Sequence, residues 1–382
     1  MRRSHRGAVL ASSALALLAA AVLFACGEDD FEPEPPPPDL NPGLPPVVTI
    51  APEEVGDGWA ASTPAAEGMD GERLSRFLQS IIDSGNRTLD GVVVARNGRL
   101  VAEGYFNGFD RETRHDLRSA SKSFTSALAG IAADQGHLAV DDLISEYIPN
   151  FESYARMDER KRAIRVRDLL DMRSGLPCDD WDPVSPGNEE RMYTKRDWTK
   201  FLLDLPMMQA PGEAAHYCTA GVVLLGNIVA SATGMPLDDF AAAVLFEPLG
   251  ITDVQWRRSP DGRAAGGGGM RLRPRDSAKV GELFLDRGLW NGVRLVSEAW
   301  VQESERIVTQ LGEDGYGALW WKGSLLVRGS MQDCFFALGN GGNTLLVVPA
   351  ERLVVMVSSS NYNGPTKQPL SLVASNVLPA LL

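Results

Sequence analysis

Between residues 70 and 84 the apolar side chains Leu74, Phe77, Leu78 and Ile81 recur at helical spacing, which predicts a helix with one buried stripe. Two apolar runs follow, GVVVAR and RLVAEGYF, joined by Asn97-Gly98. That dipeptide is the strongest short-range hairpin signal, so the sheet is at least partly antiparallel. A second helical stripe, Phe124, Leu128, Ile131 and Ala132, opens near Ser119 and stops at Gly136. From about 140 to 260 the pattern is one of short helices and loops, such as IRVRDLLDMRSG and AGVVLLGNIVASATG. Strand-like runs return at Gly317–Trp321, Ser324–Val327, Asn343–Val348 and Leu353–Ser358, with helices expected at 275–287, 297–304 and 367–381. Sheet-forming sequence thus flanks helical sequence, and no repeat is visible. The pattern predicts an α/β (α+β) domain over 61–382. Its α/β part is expected at about 61–118 and 265–382, an all-helical insert at about 119–264, and a cleft where they meet.

The first 60 residues read differently. MRRSHRG is basic, AVLASSALALLAAAVLFA is apolar, and together they form an export signal over 1–26. The segment ends in Ala25-Cys26, which resembles a bacterial lipobox and makes Cys26 the expected lipidation site. A plain signal peptide or an uncleaved anchor stays open, because Phe24 is bulkier than the residue usual there. Residues 27–60 are acidic and carry eight prolines between Pro33 and Pro46, the composition of an extended tether that builds no core. The expected location is the cell envelope, with the membrane reached only through the N-terminal anchor.

Composition sharpens this. The net charge is −13, which argues against a nucleic-acid partner. Nine of the 50 acids lie in 27–57 with no Lys or Arg, so residues 58–382 carry 41 acids against 34 bases, an ordinary acidic surface. Export implies an oxidising compartment. Beyond Cys26 three cysteines remain, and Cys178 and Cys218, each beside a motif described below, are the expected pair. The four histidines have no ligand spacing with them, so no metal site is expected.

The candidate chemistry sits in LRSASKSFTSALAGIAADQG, residues 117–136. Ser119 and Lys122 are three apart and share a helix face. A serine hydroxyl needs a base within hydrogen-bond reach, and a lysine that loses water contacts becomes one. The backbone N–H groups at a helix start can stabilise an oxyanion there. This is the only Ser-x-x-Lys in the chain. On its own the motif also fits a lysine snorkelling from a packed helix.

With its continuation through IRVRDLLDMRSGLP, FEPLGI and NGGNTLLVVPAERLVVMVSSSN, the sequence resembles the serine β-lactamase and penicillin-binding-protein superfamily over about 63–380. It is most similar to class C β-lactamases, family VIII carboxylesterases and 6-aminohexanoate-oligomer hydrolases. The resemblance implies Ser119 as acylated nucleophile, Lys122 as its proton acceptor, and no cofactor. It implies Tyr217, in Tyr217-Cys218-Thr219, as proton shuttle, its pKa lowered toward neutrality beside the lysine. Thr219 replaces the usual Asn or Ser of a substrate contact. Where such enzymes carry Lys-Thr-Gly, counting back from Pro349 gives Ala337-Leu338-Gly339. Gly339 would let substrate approach the backbone, Gly341 would follow in the same substrate-binding turn, and the N–H groups of Ser119 and Asn340 would form the oxyanion hole. The loop SGLPCDDWDPVSPGNEERMY resembles a cleft-lining loop of the aminohexanoate hydrolases, with Asp180 and Trp181 placed to touch substrate. A solvated acidic loop with a packed tryptophan reads equally well.

Ala337 and Leu338 supply neither charge nor hydroxyl for a substrate carboxylate. The expected function is therefore an exported serine hydrolase acting on a small ester, amide or short peptide rather than chiefly a β-lactam. A D-Ala peptidase, a β-lactamase or a slowly acylating sensor stands as the alternative, and the oligomeric state is open. A Ser-His-Asp hydrolase would want Gly-x-Ser-x-Gly, which does not occur.

Overall fold

The computed structural model describes residues 41–362 and 364–382. Cys26 and most of the expected signal and tether lie outside them. The main sheet has nine strands: β1 (Val47–Ile50), β2 (Leu89–Arg96), β3 (Arg99–Tyr105), β4 (Thr309–Leu311), β5 (Asp314–Gly317), β6 (Trp320–Val327), β7 (Ser330–Gly339), β8 (Asn343–Val348) and β9 (Leu353–Ser359). Their spatial order is β1-β3-β2-β9-β8-β7-β6-β5-β4. Every neighbouring pair is antiparallel. The helices that matter here are α1 (Gly71–Asp83), α2 (Lys122–Asp134), α3 (Thr219–Thr233) and α4 (Pro274–Leu285).

The central strands are buried on both faces, which is why they read as unbroken apolar runs rather than alternating ones. A Cβ on Gly104 of β3 would meet Leu78 of α1, while Gly281 of α4 lies against Val354 of β9. Strand alternation and the β9–β2 register put these contacts on opposite sides of the sheet. Asp70 caps α1 by accepting from Arg73 N at 3.0 Å, and Leu74, Phe77, Leu78 and Ile81 are its buried stripe.

Three expectations need correction. The tether does not run to residue 60, because the β-branched VVTI forms edge strand β1 on β3. Beyond it Trp59 is buried and Asp57 pairs with Arg275 and Lys279. The expected strands at 317–321 and 324–327 are divided elsewhere: β6 is continuous from 320, and the break falls at Ala318 and Leu319, with φ of 46° and 62°. Strand β7 was not anticipated over its whole length, since its first half, SMQDC, is polar and mostly exposed.

Glu282 of α4 is 4 % exposed and its Oε2 has no hydrogen-bond partner. Burial, reinforced by Asp286, pushes its pKa from 4.5 up to about 7 against the pull of Arg352. The folded chain holds this proton through a window in which the unfolded chain has released it, so stability falls as pH rises from 4.5 to about 7. Glu282→Gln, which mimics the protonated form, is expected to stabilise the fold at pH 8 by roughly 2–3 kcal/mol. At pH 4.5 it should be nearly neutral, as checked by urea unfolding at both pH values.

Candidate active site

Ser119 precedes the α-helix proper, in a 3-10 turn over Arg118–Ser121 that feeds α2. The residue before it, Arg118, has φ of 50°, a conformation that costs energy for a non-glycine residue. Asp116 holds that turn, accepting from Arg118 N at 2.8 Å and pairing with Arg118 Nε at 3.0 Å. The two-residue ladder of His115–Asp116 with Arg271–Leu272 anchors the segment from behind.

Lys122 is 1 % exposed. Its Nζ lies 2.9 Å from Ser119 Oγ and 2.5 Å from the Gly267 carbonyl oxygen. Burial lowers its pKa, and the carboxylates of Glu189 and Asp180 pull the other way. A neutral amine fits these contacts: it donates N–H to Gly267 O and offers its lone pair to the serine hydroxyl. Gly267 belongs to the run Gly266–Gly269, whose first two members thread between α2 and α3. A Cβ on Gly267 would come within 2.7 Å of the Thr219 carbonyl. Thr125 Oγ1 donates to Gly266 O at 2.7 Å and fixes the strip.

Tyr217, just before α3, lines the same cleft as Ser119, and the lysine Nζ stands 5.1 Å from its ring centre. Burial raises the phenol's pKa well above its ordinary value, with Glu189 and Asp180 adding to the rise, although the Ser119 side chain opposes it. The expected drop toward neutrality is therefore reversed, because this site has two carboxylates and little water. Tyr217 holds its proton. Both ring nitrogens of His115 are occupied, by Asp90 Oδ2 at 2.9 Å and Asp116 O at 3.2 Å, and His216 faces Asp179 at 3.4 Å.

A cleft of about 370 Å³ opens above the three groups, lined among others by Trp181, Glu189, Trp321, Leu338, Gly339 and Asn340. Trp181 is 55 % exposed and stacks on Tyr217 with centroids 5.4 Å apart and planes 3° apart. Trp321 completes the aromatic wall at 5.7 Å from Tyr217. A larger cavity of about 880 Å³ in the helical part is lined by Tyr154, Asn227 and Arg258, and by no nucleophile–base pair. The structure joins Cys178 to Cys218 by a disulfide, and Cys334 is buried and free.

Of four expected substrate contacts, two line the cleft with packing duties of their own and two lie outside its lining. Gly339 lines the cleft and is also required by the packing: a Cβ there would sit 2.1 Å from the Leu117 carbonyl oxygen, against the Ser119 turn. Gly341, with φ of 89°, packs on Ser359 and Tyr362 and does not line the cleft. Thr219 is 1 % exposed, its hydroxyl has no hydrogen-bond partner, and it too is absent from the lining. Asp180 does line the cleft, but its carboxylate is occupied by backbone: Oδ2 accepts from Thr219 N at 2.6 Å and Oδ1 from Glu189 N at 2.9 Å. Burial, then Glu189, raises the Asp180 pKa to about 6, opposed by Lys122 and by the Thr219 hydrogen bonds. Asn340 is at the cleft as expected, and its carbonyl is held by Asn343 Nδ2 at 3.1 Å.

Sequence reasoning missed Glu189, Trp321, Gly267 and Asn343. Only Gly267 carried a signal, the four-glycine run. The others are an acid in an acidic loop, half of a Trp-Trp pair in a strand, and one asparagine that opens strand β8.

A family model described as beta-lactamase matches residues 74–374. The chain belongs to the beta-lactamase family. Within that family it is 28 % identical over 295 residues to the 6-aminohexanoate-dimer hydrolase of Paenarthrobacter ureafaciens, covering 71 % of this chain and 72 % of that one. It is 26 % identical over 226 residues to a Salmonella enteritidis protein named for D-alanyl-D-alanine carboxypeptidase, covering 54 % of this chain but only 50 % of that protein's length. A solved structure from Bacillus anthracis, named for 6-aminohexanoate-dimer hydrolase, superposes with a TM-score of 0.66 at 21 % identity, over 79 % of this chain and 80 % of its own. That likeness establishes the shared fold.

Gly339→Ala in this beta-lactamase-family chain is expected to push the Ser119 turn off its present position. We expect a loss of about 1–3 kcal/mol in stability, together with much slower fluorophosphonate labelling, read by thermal melts and gel-based labelling.

Proposed function

We propose that the chain is an exported serine hydrolase that opens an ester or linear amide through an acyl-enzyme on Ser119. The observation that carries this reading is the setting of the serine: Ser119 Oγ is 2.9 Å from a buried lysine amine, with the buried phenol of Tyr217 lining the same cleft. Neutral Lys122 takes the Ser119 proton as Oγ bonds to the substrate carbonyl carbon. The oxygen that gains charge is met by the N–H groups of Ser119 and Asn340. The phenol of Tyr217 then gives its proton to the leaving alcohol or amine, and the lysine ammonium returns a proton to the tyrosine, so the charge of the pair is restored. Water enters by the same route in reverse and frees the acid.

Substrate preference follows from the cleft wall. Ala337 and Leu338 stand where a carboxylate-binding lysine and hydroxyl would be. The cleft cation Lys367 is already paired with Asp314. A β-lactam or a peptide C-terminus would bring a carboxylate with no further cation among the described lining residues to meet it. Esters and uncharged linear amides avoid that cost. The disulfide supports an oxidising compartment and so an exported chain.

Fluorophosphonate labelling of the purified protein, lost in Ser119→Ala, tests the nucleophile. Lys122→Met keeps the packing and removes the base, so turnover of p-nitrophenyl butyrate should fall about 10³-fold or more with the melt nearly unchanged. Normal turnover in that variant would refute the mechanism. Acylation should accelerate as pH rises through the lowered lysine pKa, since the ammonium cannot accept a proton. Nitrocefin should be hydrolysed far more slowly than the ester, and a rate equal to it would overturn the substrate preference.

A further inference from the structure

We infer that Asp180 is a positioning residue for Tyr217 rather than a substrate ligand, the centre of a clamp that locks the cleft loop to the start of α3. This rests on the hydrolase reading above for its kinetic consequence, but the clamp itself is a matter of geometry. Both carboxylate oxygens of Asp180 are spent on backbone amides, Thr219 N at 2.6 Å and Glu189 N at 2.9 Å. Its own N–H donates to the Tyr217 carbonyl at 2.8 Å. One side chain therefore joins the first residue of α3 to the first residue of the Glu189–Tyr193 helix. Tyr217 lies between those anchor points.

The disulfide completes the clamp. Cys178 precedes the loop and Cys218 separates Tyr217 from Thr219, so the covalent link runs beside the carboxylate link. The loop is also closed on itself. Asn188 Nδ2 stands 3.2 Å from the carbonyls of both Asp180 and Asp182, and a Cβ on Gly187 would overlap Cys178 at 2.8 Å. Trp181, projecting from the same loop, is thereby held flat on the Tyr217 ring. A proton shuttle that drifts by about 1 Å loses on the order of 10²-fold in rate. A chain that fastens its phenol from three directions avoids that loss without spending any group on the ligand.

The test compares Asp180→Asn and Asp180→Ala with the parent, using p-nitrophenyl butyrate kinetics and near-ultraviolet circular dichroism. Asn keeps one carbonyl acceptor, so kcat should fall about tenfold in Asp180→Asn and about 100-fold in Asp180→Ala, with KM within about twofold of the parent in both. The aromatic dichroism of the Trp181–Tyr217–Trp321 stack should weaken in the same order. The Cys178→Ser, Cys218→Ser double variant should show the same loss in kcat at constant KM. A rise in KM with kcat retained would make Asp180 a substrate ligand and overturn the inference. Unchanged kinetics or unchanged dichroism in Asp180→Ala would overturn it as well. If Asp180→Ala does not fold, Asp180→Asn carries both readouts. A parent protein inert toward every ester would defeat the hydrolase reading instead, and the dichroism alone would then decide the clamp.

Discussion

An ammonium group buried away from water is so costly that the protein must either neutralise it or abandon the burial, and the site is organised around that cost at Lys122. The amine sits on the first residue of α2, walled by α3 and the glycine strip, with one carbonyl and one hydroxyl for company. The strip is glycine at 266 and 267 because the backbone of α3 passes close on one side, while Thr125 of α2 stands against Gly266. Helix α3 is apolar on nearly every side as far as Val229 because it is buried between α2 and the short helices of the insert. The same dryness that lowers the lysine's pKa raises that of the neighbouring tyrosine. One constraint thus pushes the two groups beside the same serine in opposite directions.

The family relationship and the geometry speak to different questions. Membership of the beta-lactamase family gives the scaffold and the class of chemistry. The cleft wall speaks to substrate, and there the chain departs from the Lys-Thr-Gly pattern at two of three positions. Its third position, Gly339, is retained for a reason internal to the protein: the strand must pass within van der Waals contact of the turn that presents Ser119. A glycine in that place is demanded by packing before any ligand enters the cleft.

Much of this was legible in the sequence, and the pattern of failure is physical. The hairpin at Asn97-Gly98, the stripe of α1 and the Ser119–Lys122 pair were readable because each depends on residues close together in the chain. What could not be read depends on distant partners. The length of β7 is set by pairing with β6 and β8, not by its own polar first half. VVTI looked like the end of a tether until β3 was there to receive it. The Tyr217 phenol is expected to lose its proton easily when only the lysine is visible, and not its burial in the fold or the nearby Glu189 and Asp180 carboxylates. Asp180 looked free for a ligand because its amide partners come from 39 and 9 residues away.

The place where the chain enters the sheet has a mechanical consequence. Strand β1 is the outermost at one end, and β7, beside the serine, lies five strands further along, about 24 Å away at ordinary strand spacing. A pull on the residues that lead into β1 would load a four-residue ladder at the rim and peel it bond by bond. Such a force would be spent at that margin, like a seam that gives before the cloth tears, well before any strain reached the dry pocket around the amine.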